Sequence, residues 1–300
     1  MNNIAAVVVT YNRRELLLEN IEHLLAQSRP ADILIIDNNS TDDTCARLQP
    51  YILSGKINYI NTGENLGGAG GFSFGINEAV RRGYEYVWVM DDDCMPTEDA
   101  LKELMAADEA LGGNYGFLSG KVLWKDGSVC VMNVQRRTLT RPLKKFDEKY
   151  IPVVMASFVS LLIKTSVVRE LGLPIKEFFI WTDDWEYTRR ISRRYPCYVV
   201  SDSVVVHKSQ SNIGANIASD SLDRLDRYTY LYRNDVYLYS REGFKGFCYE
   251  CARLTVHFFK ILFKARGGRW KRIKTMFGGT KRGFKFKPQI RFPDDSHENT

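Results

Sequence analysis

The chain has 300 residues, of which 44% are hydrophobic and 26% charged, with a formal net charge of +6 that is very uneven along its length. This is enough apolar material to bury a sizeable core in one large or two smaller domains, and it excludes a chain that is disordered throughout.

The amino terminus, Met1-Asn2-Asn3-Ile4, lacks the basic region and long apolar core of a secretory leader, so a cytoplasmic protein is expected. Residues 4–9 read as a buried strand. A helix is predicted over 13–27, where Leu16, Leu17, Ile21, Leu24 and Leu25 form a helical stripe. A second strand at 33–36 ends at Asp37, and Asn38-Asn39-Ser40 opens a helix over 41–48. A strand at 57–60, a helix over 72–82 and a strand at 86–90 follow. Strands separated regularly by helices predict an α/β fold, an open and mostly parallel sheet covered on both faces.

The middle of the chain has a different texture. Residues 117–123, 129–134 and 153–164 read as strands, with a basic polar loop or flap at 136–150 between them. The most apolar window, 153–163, is interrupted by Ser157 and Ser160 and closed by Lys164, too short for a membrane-spanning helix. A helix is predicted over 187–194 and a strand over 198–206, ending at His207. From 244 onward Phe244, Phe247, Cys248, Cys251, Leu254, Phe258, Ile261 and Leu262 recur at helical spacing among many Lys and Arg residues. The six cysteines show no paired framework, and Cys248-Tyr249-Glu250-Cys251 reads as two core-facing thiols rather than a zinc or redox site.

The densest chemistry lies at Tyr86-Val87-Trp88-Val89-Met90-Asp91-Asp92-Asp93, a buried strand that ends in three carboxylates. Open α/β sheets bind ligands beyond the carboxyl ends of their strands. Residues two apart in an extended segment point the same way, so Asp91 and Asp93 can share a cleft while Asp92 turns aside. Like charges held that close call for a cation or a proton, and a hard divalent ion bridging to phosphates fits; a solvated acidic turn is the plainer reading. On the same edge, Thr10-Tyr11-Asn12 and Asp37 can meet a pyrimidine base and ribose, although turn chemistry also explains Asn38 to Asp42. Asn65-Leu66-Gly67-Gly68-Ala69-Gly70-Gly71-Phe72 is a glycine-rich loop opening a helix, neither a P-loop nor a dinucleotide fingerprint. Trp181-Thr182-Asp183-Asp184-Trp185-Glu186 sets carboxylates among aromatics, which raises a carboxyl pKa toward that of a general base; it also reads as an acidic helix cap.

Taken in order, Val8 to Asn12, Ile36 to Asp42, Asn65 to Phe72, Asp91 to Asp93, Trp181 to Glu186 and His207 resemble the family 2 inverting glycosyltransferases of GT-A fold, over residues 4 to about 210. The glycine-rich wording resembles the bacterial galactofuranosyltransferase and rhamnosyltransferase branch. The resemblance implies a doubly wound GT-A domain over 1–243, divided into a nucleotide-sugar half (1–115) and an acceptor half (116–243), with a basic, mainly helical region appended at 244–300. It assigns Thr10, Tyr11, Asn12, Asp37, Asn65, Gly67, Gly68, Asp91 and Asp92 to the donor. Asp91, Asp93 and His207 are assigned to Mn²⁺ or Mg²⁺, and Asp184 to the catalytic base. Trp181, Asp183, Trp185 and Glu186 fall to the acceptor. A lone histidine after Val204-Val205-Val206 would otherwise read as an ordinary satisfied imidazole.

The implied reaction moves a sugar from UDP-galactofuranose, or alternatively dTDP-rhamnose, to a glycan or polyprenyl-linked glycan acceptor in cell-surface polysaccharide synthesis. A sugar nucleotidyltransferase would carry an Arg/Lys-bearing glycine loop near its amino terminus, and residues 7–14 have none. A non-catalytic sugar- or membrane-binding module has no use for the Asp91/Asp93 pair and Asp184 together. The basic region predicts attachment to an anionic membrane surface, the cytoplasmic face of the cell membrane, with packing of its apolar stripe against the catalytic domain or into a homo-oligomer as the competing use. The enzyme motifs leave no purpose for nucleic-acid binding.

Overall fold

The computed structural model describes residues 2–293. The chain begins with β1 (Ile4–Thr10), α1 (Arg14–Leu25), β2 (Asp32–Asp37), α2 (Thr44–Leu53), β3 (Ile57–Asn61), α3 (Gly67–Arg81) and β4 (Tyr86–Asp91). A short β5 (Cys94–Pro96) and α4 (Ala100–Ala110) follow, then β6 (Phe117–Trp124), β7 (Tyr150–Pro152), β8 (Leu161–Lys164), α5 (Thr165–Leu171), α6 (Asp183–Ser192) and β9 (Tyr198–His207). Three helices complete the described residues: α7 (Leu225–Ser240), α8 (Gly243–Lys264) and α9 (Arg269–Lys285).

Among the described residues the strands form one sheet in the order β3-β2-β1-β4-β8-β6-β9-β5, with β7 also on β9. The first four strands are parallel, β8 is antiparallel to both its neighbours, and β6 runs parallel to β9. This is the expected α/β doubly wound sheet. The period of two along each strand divides its core. Val7, Val9, Leu34 and Ile36 pack with Phe72 and Ile76 of α3 on one face. Ala6, Val8, Ile33 and Ile35 pack with Leu17 and Ile21 of α1 and with Leu104 of α4 on the other. A separate cluster joins α7, α8 and α9 through Leu225, Tyr228, Tyr232, Ile261 and Met276.

The structure corrects several sequence expectations. Residues 129–134 are not a strand: after a single bridge at Val129 the chain turns through a 3₁₀ helix, Val131–Asn133, because Asn133 is drawn inward by side-chain bonds. Of 153–164 only β8 is extended. Ser160 has φ of 56° and accepts the indole N–H of buried Trp88 at 3.0 Å, so the serines that break the apolar window are satisfied core groups. Helix α3 starts at Gly67, five residues before the expected Phe72, and α6 starts at Asp183 rather than Tyr187. Helix α7 was not expected at all, since its tyrosines mask an apolar periodicity. Cys248 and Cys251 are exposed rather than core-facing, and the stripe they belong to is divided: Ile261 is buried, whereas Phe244 and Phe247 face outward. Of the appended region expected at 244–300, residues 294–300 lie outside the described residues.

Close helix-to-sheet contact requires glycine in α3. A Cβ at Gly75 would lie 2.5 Å from Val7 Cγ1 and 2.8 Å from Ile36 Cγ1. Gly75→Leu is therefore expected to destabilise the fold by about 1–3 kcal/mol, the usual cost of overpacking, read as a lowered urea midpoint at unchanged slope.

Candidate active site

The three carboxylates leave the sheet together but meet different partners. Asp91 is the last residue of β4, and Asp92 and Asp93 form the turn into β5. Strand β5 pairs antiparallel with β9, setting Cys94 opposite His207, and Lys208 N donates to Asp93 O at 2.8 Å. Asp92 does turn aside: its Oδ2 accepts Thr10 Oγ1 at 2.7 Å and its Oδ1 accepts Arg13 Nη1 at 3.2 Å. Arg13 Nη1 also donates to Asp93 Oδ2 at 2.7 Å. Asp93 Oδ1 is buried without a hydrogen-bond partner, although His207 Nε2 lies 3.0 Å away outside bonding alignment. His207 Nδ1 sits 2.7 Å from Asn133 Oδ1, and Asn133 Nδ2 donates to Ser157 Oγ at 3.0 Å. With its amide nitrogen engaged, Asn133 offers its oxygen to the Nδ1 proton and leaves Nε2 facing Asp93.

Burial lifts the Asp91 carboxyl to about 7, helped by the Asp93 charge, and lifts Asp92 to about 6 despite Arg13. Burial works against Asp93 too, but His207 and Arg13 outweigh it and lower its pKa. The His207 imidazole, opposed by burial, is carried to about 10 by Asp93. The pair thus draws a positive charge into the gap between Oδ1 and Nε2, whether a proton or a metal ion. Ligand atoms of Asp91, Asp93, Cys94 and His207 all lie within 4.8 Å of one another. Burial pushes the Cys94 thiol well above its ordinary range, so it stays protonated, and hard cations prefer oxygen and imidazole. An orphaned carboxylate oxygen facing an imidazole therefore fits a divalent ion on Asp91, Asp93 and His207. Asp92 lies outside this cluster with its oxygens committed elsewhere.

The expected donor residues gather at the same edge, several with internal partners. Asp37 is fully buried, accepting Ser40 N at 2.8 Å and Tyr59 Oη at 2.7 Å. Asn12, at φ 52°, accepts Thr41 N at 2.7 Å and ties two strand-end loops together, while Tyr11 is exposed beside it. Asn65 Oδ1 accepts Gly67 N at 2.9 Å. Gly67 has φ of 71° and presses on the Phe179 carbonyl where no Cβ fits, so the glycine loop touches the segment that leads into α6; Gly68 faces open space.

The first turn of α6, expected to face the acceptor, presents Asp183 and Asp184. Burial raises Asp183 to about 6 and raises Asp184 well above the carboxylate range, with Asp183 and then Asp91 adding to the latter. Asp91 thus lies near enough for its charge to add, behind burial and Asp183, to the raised Asp184 pKa. Asp184 Oδ1 accepts Trp185 N at 2.7 Å, leaving its second oxygen outside that turn. Glu186 is buried and forked onto Arg190 at 3.1 and 2.9 Å, so its side chain braces α6. Trp181 packs edge-on against Tyr228, and the Trp185 ring lies under the Arg136 guanidinium at 3.7 Å. Sequence reading missed Arg13 and Asn133. A polar residue inside the apolar run 129–134 was the available sign of the second; the first adjoins a named motif and carried none.

The model of the family described as glycosyl transferase family 2 matches residues 5–171. The chain belongs to this family. Family 2 relatives include galactofuranosyltransferase GlfT1 of Mycobacterium tuberculosis, 26% identical over 309 residues that cover 94% of this chain and 97% of the relative. Among solved folds, S. aureus TarS superposes with a TM-score of 0.54 at 16% identity, over 95% of this chain and 72% of TarS. A Pyrobaculum calidifontis mannosyltransferase, in complex with GDP-Man and Mn²⁺, superposes at 0.56 and 14% identity over 95% and 76% of the two chains. These neighbours place the domain in the GT-A fold of glycosyltransferases.

The imidazole geometry is open to direct measurement. In a calorimetric Mn²⁺ titration, Asp93→Ala is expected to abolish binding. Asn133→Ala, which frees the His207 ring without touching a ligand, is expected to weaken it about 10–100-fold.

Proposed function

We propose that this family 2 enzyme is a metal-dependent inverting glycosyltransferase that moves galactofuranose from UDP-galactofuranose to a glycan or lipid-linked glycan acceptor. The observation that carries the reading is the gathering of Asp91, Asp93 and His207 at one sheet edge, with Asp184 of α6 near enough to feel the Asp91 charge. The near full-length likeness to a galactofuranosyltransferase supports the choice of sugar. In this reading residues 1–115 take the nucleotide sugar and 116–243 the acceptor, with the basic region 244–300 appended to the catalytic domain.

The acceptor hydroxyl lies against Asp184, whose raised basicity suits proton removal. As that proton passes to Asp184, the hydroxyl oxygen forms its bond to the anomeric carbon. The bond from that carbon to the donor phosphate breaks on the opposite face, and the nucleoside diphosphate departs with the electron pair. A single displacement inverts the centre and needs no nucleophile from the chain. Mn²⁺ or Mg²⁺ held by Asp91, Asp93 and His207 supplies charge neutralisation for the leaving diphosphate. Thr10, Tyr11, Asn12, Asp37 and the Asn65–Gly68 loop form the nucleoside side, and Trp181 and Trp185 offer faces for the acceptor sugar.

The reading is tested by nucleoside-diphosphate release over a donor panel with a polyprenyl-linked glycan acceptor. UDP-galactofuranose should turn over, dTDP-rhamnose only if the alternative holds, and EDTA should stop the reaction. Asp184→Asn is expected to keep donor binding and lose about 10²–10⁴-fold in kcat. Because Asp184 must be ionised to act, kcat should rise with pH along a limb lying above the ordinary carboxylate range. A limb near pH 4, the unperturbed carboxylate region, would contradict the assignment.

The C-terminal helices support attachment to the inner face of the membrane. No helix among the described residues is long and apolar enough to cross a bilayer. Instead α8 and α9 expose Phe244, Phe263, Trp270 and Phe284 at 81%, 72%, 82% and 68%. Lys260, Lys264, Arg269, Lys271, Lys274, Lys281 and Lys285 lie exposed among them. Aromatics interleaved with cations match an anionic lipid interface, where each Lys or Arg contributes about 1 kcal/mol. Co-sedimentation with vesicles should require anionic lipid, fall with salt, and be lost in Phe263→Ser/Trp270→Ser. A lipid-free dimer broken by the same substitutions would assign the face to a second copy instead.

A further inference from the structure

We propose that Asp235 of α7, steadied by Arg253 of α8, is a positioning residue that aims the Asp183-Asp184 pair. Nothing in the family match, which ends at residue 171, covers either residue. The approach to α6 is conformationally unusual: Phe179, Trp181 and Thr182 have φ of 65°, 65° and 71°. Aromatic and β-branched residues persist at positive φ only where their surroundings over-determine them.

Those surroundings come mainly from α7. Asn234, fully buried, directs its amide nitrogen at the carbonyls of Phe178, Ile180 and Trp181, at 3.0, 3.1 and 2.9 Å. Arg233 Nη2 donates to the carbonyls of Glu177 and Phe178 at 2.6 and 3.1 Å. From the donor side, Ala69 N donates to Phe179 O at 3.2 Å. The last fixed point is Thr182, the residue entering α6, whose hydroxyl donates to Asp235 Oδ1 at 2.7 Å. Asp235 Oδ2 meets Arg253 Nη1 at 2.8 Å, and Arg253 forks onto Glu250 at 2.7 and 2.9 Å.

A buried carboxylate needs both its oxygens satisfied, and Asp235 uses one on the catalytic segment and one on α8. The left-handed turn at Thr182 sets the direction in which the next two residues leave. Arg253, Asp235 and Thr182 thus form a rigid strut from the C-terminal helices to the candidate base. The strut also explains a charged Asp on a face of α7 that is otherwise lined by tyrosines.

The rate readout rests on the glycosyl-transfer reading; an amide hydrogen-exchange readout does not. Thr182→Val keeps shape and β-branching but removes the donor, and Asp235→Ala removes the acceptor. Each is expected to lower kcat by about 10²-fold, the cost of misplacing a reacting group by about 1 Å. The KM for the nucleotide sugar should be unchanged, and Thr182→Ser should restore kcat. The double variant should be no worse than the worse single one, since both cut the same link. Hydrogen exchange should quicken in peptides spanning 178–188 and stay as it is in those spanning 86–93. Unchanged kcat and exchange in a folded Thr182→Val protein, or a loss shared equally by donor binding, would overturn the proposal. Should wild-type protein transfer no sugar at all, the enzymatic reading fails while the exchange measurement still decides the strut. Thr182→Val keeps the test open even if Asp235→Ala does not fold.

Discussion

Three adjacent carboxylates at the end of a buried strand repel one another, and the catalytic edge of this sheet is organised around relieving that repulsion. Each relief comes from a different strand. Thr10 ends β1 and Arg13 lies just beyond it, and the register of β1 with β4 sets Val9 opposite Asp91. His207 ends β9, whose pairing with β5 sets it opposite Cys94. A slip of one residue in either pairing would turn the compensating side chains to the other face. Electrostatics and register are therefore one constraint here: the acidic turn holds its shape because the sheet delivers cations and donors to it. The arrangement leaves a single deficit, the unpartnered Asp93 oxygen facing His207.

The Asp183-Asp184 pair stands in a different setting. At Asp183 and Asp184 burial and mutual repulsion are left largely uncompensated, opposed only by backbone N–H groups at the start of α6, where the helix dipole favours anions. Raised basicity is the outcome. Within the acidic turn only Asp93 is held low, by His207 and Arg13, whereas burial leaves Asp91, like Asp183 and Asp184, raised.

Helix α7 serves two surfaces. Its Arg233-Asn234-Asp235 edge holds the segment entering α6, while Tyr228, Tyr232 and Leu225 form the floor for α8 and α9. Buried tyrosines suit this place, since each supplies apolar area and a hydroxyl that still finds a partner, as Tyr232 does with His257 at 2.9 Å. The outward faces of α8 and α9 keep their aromatics, so the apolar stripe of the C-terminal region is shared between an internal seam and an exposed band.

The parallel half of the sheet was legible in the sequence because its strands are apolar on both faces and its helices carry one stripe each; local periodicity suffices for both. The motif residues were legible for a related reason. Asp91, Asp93 and Asp184 stand at abrupt transitions from apolar to charged, which only a ligand or a cap explains. What local pattern could not show is any role that depends on a partner distant in sequence. Asn133 looked like part of a strand until its bonds to His207 and Ser157 drew it into a turn. Ser160 looked like an interruption until Trp88 lay beneath it. Glu186 looked free for an acceptor until Arg190 took both its oxygens. Helix α7 escaped notice because tyrosine reads as neither apolar nor polar until its neighbours are known. The sequence by itself determined which residues are chemically capable and that they lie at strand ends. Tertiary structure alone decided which carboxylates are compensated and which are left basic, because that depends on burial and on charges brought together across the sheet.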